Sequence, residues 1–322
     1  MKLKSTLLPL GLALILILAL LDFILGLFIQ NTQEKTYRVV QSGESISLLA
    51  LREYRTYNSF VKEILNHANQ HLADQSALVP GDTVYFPSLT KMELDIQVYK
   101  KPGISISTPR EELKNRSGEA FVTWVEGRVL YKSAPDTNWR HVENNLILKT
   151  GDTVLTGDSG RVEIALDRKS VLRLDRNTEF MIHFFNVPVK KEIHANFEIT
   201  TGELWFAIDQ FLDKKSLIYC RFPAMSLRLL DARFRASGAP GSSNRVYVYD
   251  GIVEVRRREE SAEIREREIE QHARWVQKVR ANHHLHITAD RQHAEPEKFS
   301  ARDKTNAWVA WNRKRDTIFT QR

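Results

Sequence analysis

The residues best equipped for chemistry are one cysteine, a short histidine cluster and scattered carboxylates. Cys220 lies in the apolar stretch Leu217-Ile218-Tyr219-Cys220. A lone cysteine closes no internal disulfide, and this one is too far along the chain for lipid attachment, so core packing is its expected use. His283-His284-Leu285-His286 would place His284 and His286 on one side of an extended segment. A metal site needs three or four suitably spaced ligands, and no Cys or acidic residue completes one here; metal is not expected. Glu259 and Glu260 are merely adjacent in sequence, which does not set two carboxylates astride a glycosidic bond. There is no G-x-S-x-G, no H-E-x-x-H and no phosphate-binding loop. The chain therefore reads as a binding protein rather than an enzyme, with no cofactor.

The elements that must position any binding surface belong to a folded chain. Its 322 residues are 42% hydrophobic and 27% charged, with 14 Gly and 10 Pro, so roughly two or three domains are expected and wholesale disorder is not. Net charge is +7. The basic residues are interleaved with nearly as many acids and form no long run, which argues against nucleic acid and for solvated faces near an anionic wall or membrane.

Residues 1–34 read as a membrane anchor. The run from Leu7 to Ile29 is apolar apart from Asp22, and about 20 such residues suffice to cross the hydrocarbon core. Lys2 and Lys4 precede it, which keeps the N-terminus cytoplasmic and exports the rest. The exit Leu27-Phe28-Ile29-Gln30-Asn31-Thr32 lacks an A-x-A-like cleavage pattern, so a retained single-pass anchor in a bacterial inner membrane, with the bulk periplasmic, is preferred over a cleaved leader. Asp22 in the outer part of the span either tilts towards headgroups, the simpler reading, or meets a partner within the membrane.

Residues 36–87 suggest a small α+β unit. Thr36-Tyr37-Arg38-Val39-Val40 alternates like a strand, and Ser42 or Ser45 can cap a helix beginning at Ile46. Phe60, Ile64 and Leu65 mark a second helix; Pro80-Gly81-Asp82 turns the chain into a closing strand, Val84-Tyr85-Phe86-Pro87. Tyr37 to Ile46, Tyr57 to Ile64, Asn69 and Leu78 to Pro87 together resemble a LysM domain. Two departures are Gly43-Glu44-Ser45-Ile46 for the usual Gly-Asp-Thr-Leu, and Arg55 where many relatives have Gly. The resemblance implies a groove for N-acetylglucosamine glycans between two loops, Ser42 to Ile46 and Ser76 to Gly81. It nominates Ser42, Gly43, Glu44, Ser45, Ile46, Asn69, Leu78, Val79, Pro80 and Gly81 as glycan-binding. Backbone N–H and C=O groups of two turns suit an acetamido group, and Leu78 with Val79 would form an apolar floor. One such module binds weakly and depends on multivalency.

Residues 88–118 have linker composition, although Leu94 to Val98 could form an isolated strand. From Phe121 the pattern becomes persistently β, with a hairpin-like turn at Asp167-Arg168-Lys169-Ser170 and punctuation at Thr201-Gly202 and Asp250-Gly251. An all-β sandwich or solenoid-like stack over 119–256 is expected. The run Leu148 to Asp167, then Val171 to Leu174, Thr201 to Leu204 and Val246 to Val255 resemble a FecR-like domain; Asp231-Ala232-Arg233-Phe234 departs from the Gly-Thr that precedes Phe in relatives. Relatives of this type include periplasmic regulators that pass a receptor signal to a sigma factor through a cytoplasmic arm. Too few residues precede Leu7 for such an arm, which argues against that role. The remaining 257–322 form a charged extension. Ile264, Ile269, Ala273, Val276 and Val279 are spaced for a helix face, while Trp275 to Val279 also alternates as a strand; Trp308-Val309-Ala310-Trp311 is expected to pack onto the β module.

The expectation is thus a multidomain protein with a transmembrane helix, a βααβ LysM-like unit and an all-β FecR-like module, gripping peptidoglycan glycan strands. An envelope protein could dock on the β module. The rivals are a regulatory signal transducer acting through a membrane partner and a wall-remodelling enzyme with an unrecognised site.

Overall fold

A computed structural model describes residues 36–89, 118–134, 136–186, 193–208, 216–258, 276–288 and 295–320. The expected anchor with Asp22, most of the linker and the possible strand at Leu94 lie outside these residues. No helix among the described residues is long and apolar enough to cross a membrane.

The small unit has the order strand, helix, helix, strand: β1 (Thr36–Val39), α1 (Ile46–Tyr54), α2 (Ser59–Ala68) and β2 (Thr83–Phe86). Ser45, in extended conformation, accepts from the Leu48 N–H and caps α1, and Asn58 caps α2 through the Val61 N–H. These side chains satisfy N–H groups that the first helical turn leaves without partners. Arg55 ends α1 in the left-handed region (φ 61°), a conformation that glycine adopts at least cost. β1 and β2 pair antiparallel, Tyr37 opposite Tyr85.

Among the described residues the β module is one 15-stranded sheet. Its strands are β3 (Ala120–Glu126), β4 (Val129–Lys132), β5 (Arg140–His141), β6 (Ile147–Leu148), β7 (Thr153–Thr156), β8 (Arg161–Ala165), β9 (Ser170–Leu174), β10 (Glu179–Asn186), β11 (His194–Ile208), β12 (Leu217–Arg221), β13 (Met225–Gly238), β14 (Asn244–Arg257), β15 (Val276–Arg280), β16 (His283–Ile287) and β17 (Glu297–Lys298). The turn anticipated at Asp167 to Ser170 joins β8 to β9, closed by the Leu166 N–H on the Ser170 carbonyl. Thr201-Gly202 and Asp250-Gly251, expected to separate strands, lie inside β11 and β14. The first half of β11 pairs with β10 and β12, and the second half with β9 and β13. Gly202 (φ 112°) and Gly251 (φ 72°) allow this, because each turns the backbone through a conformation that glycine adopts at least cost while pairing continues on both sides. At Gly251 a Cβ would meet the Asp231 carbonyl oxygen at 1.8 Å.

Beyond 257 the chain continues the same sheet. β15 pairs with the second half of β14 and β16 with its first half, so Trp275 to Val279 is resolved towards strand from Val276 onwards. Two helices follow, α3 (Ala301–Thr305) and α4 (Ala307–Thr320).

Alternation sorts the β residues between two cores. Val122, Ile164, Leu172, Leu204 and Phe206 enter the core of the β module, together with Cys220. Their neighbours Phe121, Ala165, Val171, Trp205 and Ala207 turn the other way, into a second core shared with Ile46, Leu48 and Leu49 of the small unit and Trp308, Val309 and Phe319 of α4. A strand covered on both faces carries apolar residues on both, as β8 and β9 do, and any charge it buries must be paired. The expected packing of Trp308-Val309-Ala310-Trp311 onto the β module is realised here.

Candidate functional site at the junction of the two modules

Two polar assemblies sit within this second core. The first begins with β8 and β9, where the face lined by Ala165 and Val171 also carries Glu163 and Arg173, both with no exposed side-chain surface. Arg173 Nε donates to Glu163 Oε2 (2.6 Å), and Thr123 Oγ1 donates to Glu163 Oε1 (2.7 Å). α4 completes the network. Arg315 donates to both Glu163 oxygens, at 2.6 and 3.2 Å, while Asp316 accepts from Arg173 at 2.5 Å and pairs with Arg233 at 3.1 Å. Burial alone would raise the Glu163 pKa, but Arg173 and Arg315 outweigh it and hold the carboxyl at about 2. Asp316 goes the other way: its burial raises the pKa despite Arg173.

The network reaches the small unit as well. Arg315 Nη1 donates to the Gly43 carbonyl (2.8 Å), and Arg52 on α1 bonds both Glu44 and the Ile318 carbonyl. Beside it, the Trp308 and Trp311 rings stack at 5.0 Å, Trp124 lies 5.1 Å from Trp311, and the Arg161 guanidinium covers both α4 indoles. α4 is thus a clasp: Arg315 holds the β module through the buried Glu163 carboxylate and the small unit through the Gly43 carbonyl.

The second assembly is a cleft in the small unit. The Ser47 N–H donates to Asn145 Oδ1 (2.8 Å), and Asn145 Nδ2 donates to the Gln75 carbonyl (2.9 Å). The neighbouring Asn144 Nδ2 donates to the Ser76 carbonyl (2.8 Å). Asn145 is itself fixed: its N–H bonds the Val122 carbonyl, and Lys62 Nζ donates to its carbonyl at 3.0 Å. A polar depression of about 310 Å³ opens beside Asn144, lined by Lys62, Tyr131, Arg140, His141, Glu143 and Leu146.

The nominated glycan residues occupy different environments. Ser45 is buried as the α1 cap, its hydroxyl 3.0 Å from that of Ser47. Ile46 is in the core. Glu44 accepts from the Gln41 N–H and pairs with Arg52, and Gly43 is engaged by Arg315. Asn69 is fully buried, donating to the Leu65 and Tyr85 carbonyls and accepting from the Tyr85 N–H, which ties α2 to β2. Leu78 packs against the shared core, whereas Ser42, Val79, Pro80 and Gly81 are exposed. The groups that face the Asn144 and Asn145 side chains are the Ser47 N–H and the Gln75 carbonyl, each one residue outside a nominated loop, and the carbonyl of Ser76, which opens the second loop.

Sequence reading missed Asn144, Asn145, Glu163, Arg173, Arg315 and Asp316. The signal for the charged group was a lone charge within an apolar alternation, Val162-Glu163-Ile164 and Leu172-Arg173-Leu174, since a charge on a covered strand face requires a partner. Asn145 offered no comparable mark. Its left-handed backbone (φ 68°) is common for Asn in any turn. His284 and His286 do share a side of β16, their rings 4.9 Å apart, and His286 meets the Tyr247 hydroxyl. Among the described residues no cluster of three or more His, Cys, Asp or Glu is placed to hold a metal.

Comparison with known proteins places the β-module partners of the clasp, though not α4 itself, within a family segment. The family described as FecR protein matches residues 152–254, which include Glu163, Arg173 and Arg233. Two crystal structures of a candidate anti-sigma factor from Parabacteroides distasonis are similar in part. One is 14% identical over 47% of this chain and 61% of its own, with a TM-score of 0.36. The other is 15% identical over 50% of this chain and 64% of its own, with a TM-score of 0.37. The match thus spans less than two thirds of either structure, and at such scores the likeness carries no argument. No curated protein matches the chain.

Proposed function

We propose that this chain is a non-catalytic regulatory protein of the cell envelope, in which a FecR-type β module transmits a state set by how the small unit and α4 are seated on it. The FecR match over 152–254 carries the reading, because that segment supplies Glu163 and Arg173, the buried pair on which the α4 clasp closes. A buried ion pair adds little net stability over a well-packed apolar core, yet it is costly to break at one partner. Such a contact is suited to separating two discrete arrangements. The apolar run from Leu7 to Ile29 supports an inner-membrane location with the two modules outside, and Asp22 within it is the candidate contact for a membrane partner.

Affinity purification of the full chain from membranes after cross-linking tests this. A membrane protein is expected to co-purify, to be lost with Asp22→Leu and to change in yield with Arg315→Leu. Recovery of the same proteins from all three chains rejects the regulatory reading.

A second reading, capture of N-acetylated glycan by residues 36–87, is favoured by one observation: the cleft between Ser47 and Gln75 brackets an amide with a backbone donor and a backbone acceptor. Retention on purified peptidoglycan sacculi tests it, with a chain lacking 36–87 as control. Retention that resists salt and requires 36–87 supports it, and equal retention of both chains rejects it.

A further inference from the structure

An asparagine side chain is an acetamide mounted on a backbone: a carbonyl oxygen that accepts and an N–H that donates, joined to one small carbon. Asn145 uses both functions on one cleft, with the Ser47 N–H and the Gln75 carbonyl. An acetamido group presents the same pair. We propose that Asn145 is an intramolecular surrogate for an N-acetyl group, and that acetylated amino-sugar chains enter the cleft only when the turn carrying Asn144 and Asn145 withdraws. The proposal rests on the glycan reading above for its ligand class and adds to it that the small unit is held closed by its own β module.

Three observations converge on the surrogate. Asn145 is 6% exposed, so an incoming ligand cannot share the cleft with it. Asn144 engages the Ser76 carbonyl in parallel, occupying the next acceptor along the same loop. The turn is also tied to the β module, by the Asn145 N–H on the Val122 carbonyl, while Ser47 Oγ donates to that same carbonyl. Ligand entry and seating of the Asn144-Asn145 turn in the cleft are therefore mutually exclusive. Uptake of glycan displaces the turn and loosens one of the ties between the small unit and β3. By mass action, the apparent affinity of the closed protein is reduced by the fraction of molecules that are open.

The test is titration of the full chain with N-acetylated chitotetraose, with the fully deacetylated tetramer as control. Asn145→Gly removes the amide and suits the left-handed backbone; Asn145→Asp keeps the shape but turns an oxygen towards the Gln75 carbonyl. Both variants are expected to bind the acetylated tetramer at least tenfold more tightly than the parent, and neither to bind the deacetylated one. In the parent chain, saturating tetramer should accelerate hydrogen exchange at the Asn145 N–H, a measurement independent of how well either variant folds. Equal affinity in parent and variants, with unchanged exchange, rejects the surrogate while leaving the glycan reading in place. Absence of binding in every chain, or equal binding of the deacetylated tetramer, rejects both.

Discussion

Replacing Glu163 by Gln keeps the shape of the side chain and removes the one negative charge on which Arg173 and Arg315 converge. The carboxyl is fully buried, with its pKa moved from 4.5 to about 2. Because the folded value lies below the unfolded one, its contribution is complete above pH 4.5 and is lost as pH falls towards 2. That shift corresponds to roughly 3 kcal/mol at neutral pH. The figure agrees in order with the 3–5 kcal/mol typical when one partner of a buried pair is removed. Asp316 partly offsets it with opposite sign: its raised pKa makes the folded state relatively more stable as pH falls. Urea unfolding of parent and Glu163→Gln, near pH 7 and again near pH 3, reads both effects. The variant should be less stable by about 3 kcal/mol at the higher pH, with the gap narrowing markedly at the lower. A loss below about 1 kcal/mol at neutral pH would refute the argument that this carboxylate anchors the clasp.

Gly251→Ala should lower stability by roughly 3 kcal/mol, since its Cβ meets the Asp231 carbonyl oxygen and its φ is +72°; an unchanged melting temperature would contradict this. Arg55→Gly relaxes a left-handed helix end and should stabilise the chain by about 0.5–1 kcal/mol, read from the urea midpoint. Ser45→Ala removes the α1 cap and the hydroxyl beside Ser47, at a cost of about 1 kcal/mol in the same assay. Val309→Asp places a charge in the shared core and should detach α4, seen as dye binding to newly exposed apolar surface without loss of the β-rich circular dichroism; unchanged dye binding would show that α4 is not held there.

Local order was legible because it depends on near neighbours. The strand, helix, helix, strand order of 36–87, the turn at Asp167 to Ser170 and the docking of Trp308 follow from caps, alternation and turn residues. The unusual Arg55 was visible too, as a side chain where the LysM resemblance leads one to expect Gly, and it sits at a positive φ. Strand continuity was harder to read. Thr201-Gly202 and Asp250-Gly251 look like strand ends, yet they are bends within β11 and β14, because glycine permits a turn and a bend equally and only the partners on either side decide. The site was least legible. Asn145 meets Ser47 across 98 residues and Arg315 meets Glu163 across 152, and no local pattern encodes such pairings. The glycan residues were assigned from loop positions, whereas Ile46 and Asn69 are taken up by the core of the unit itself.

The position of α4 also governs when the protein can finish folding. Arg315 meets Gly43 across 272 residues and Arg52 meets Ile318 across 266. During synthesis the small unit, made first, can cover part of the face formed by Phe121, Val171 and Trp205, but the part that packs against α4 must wait until residues 307–320 emerge from the ribosome. At about 5–20 residues per second this is an interval of many seconds. Contacts of such separation close slowly. In that interval the nascent chain exposes an apolar sheet face, which makes it a substrate for chaperones and proteases.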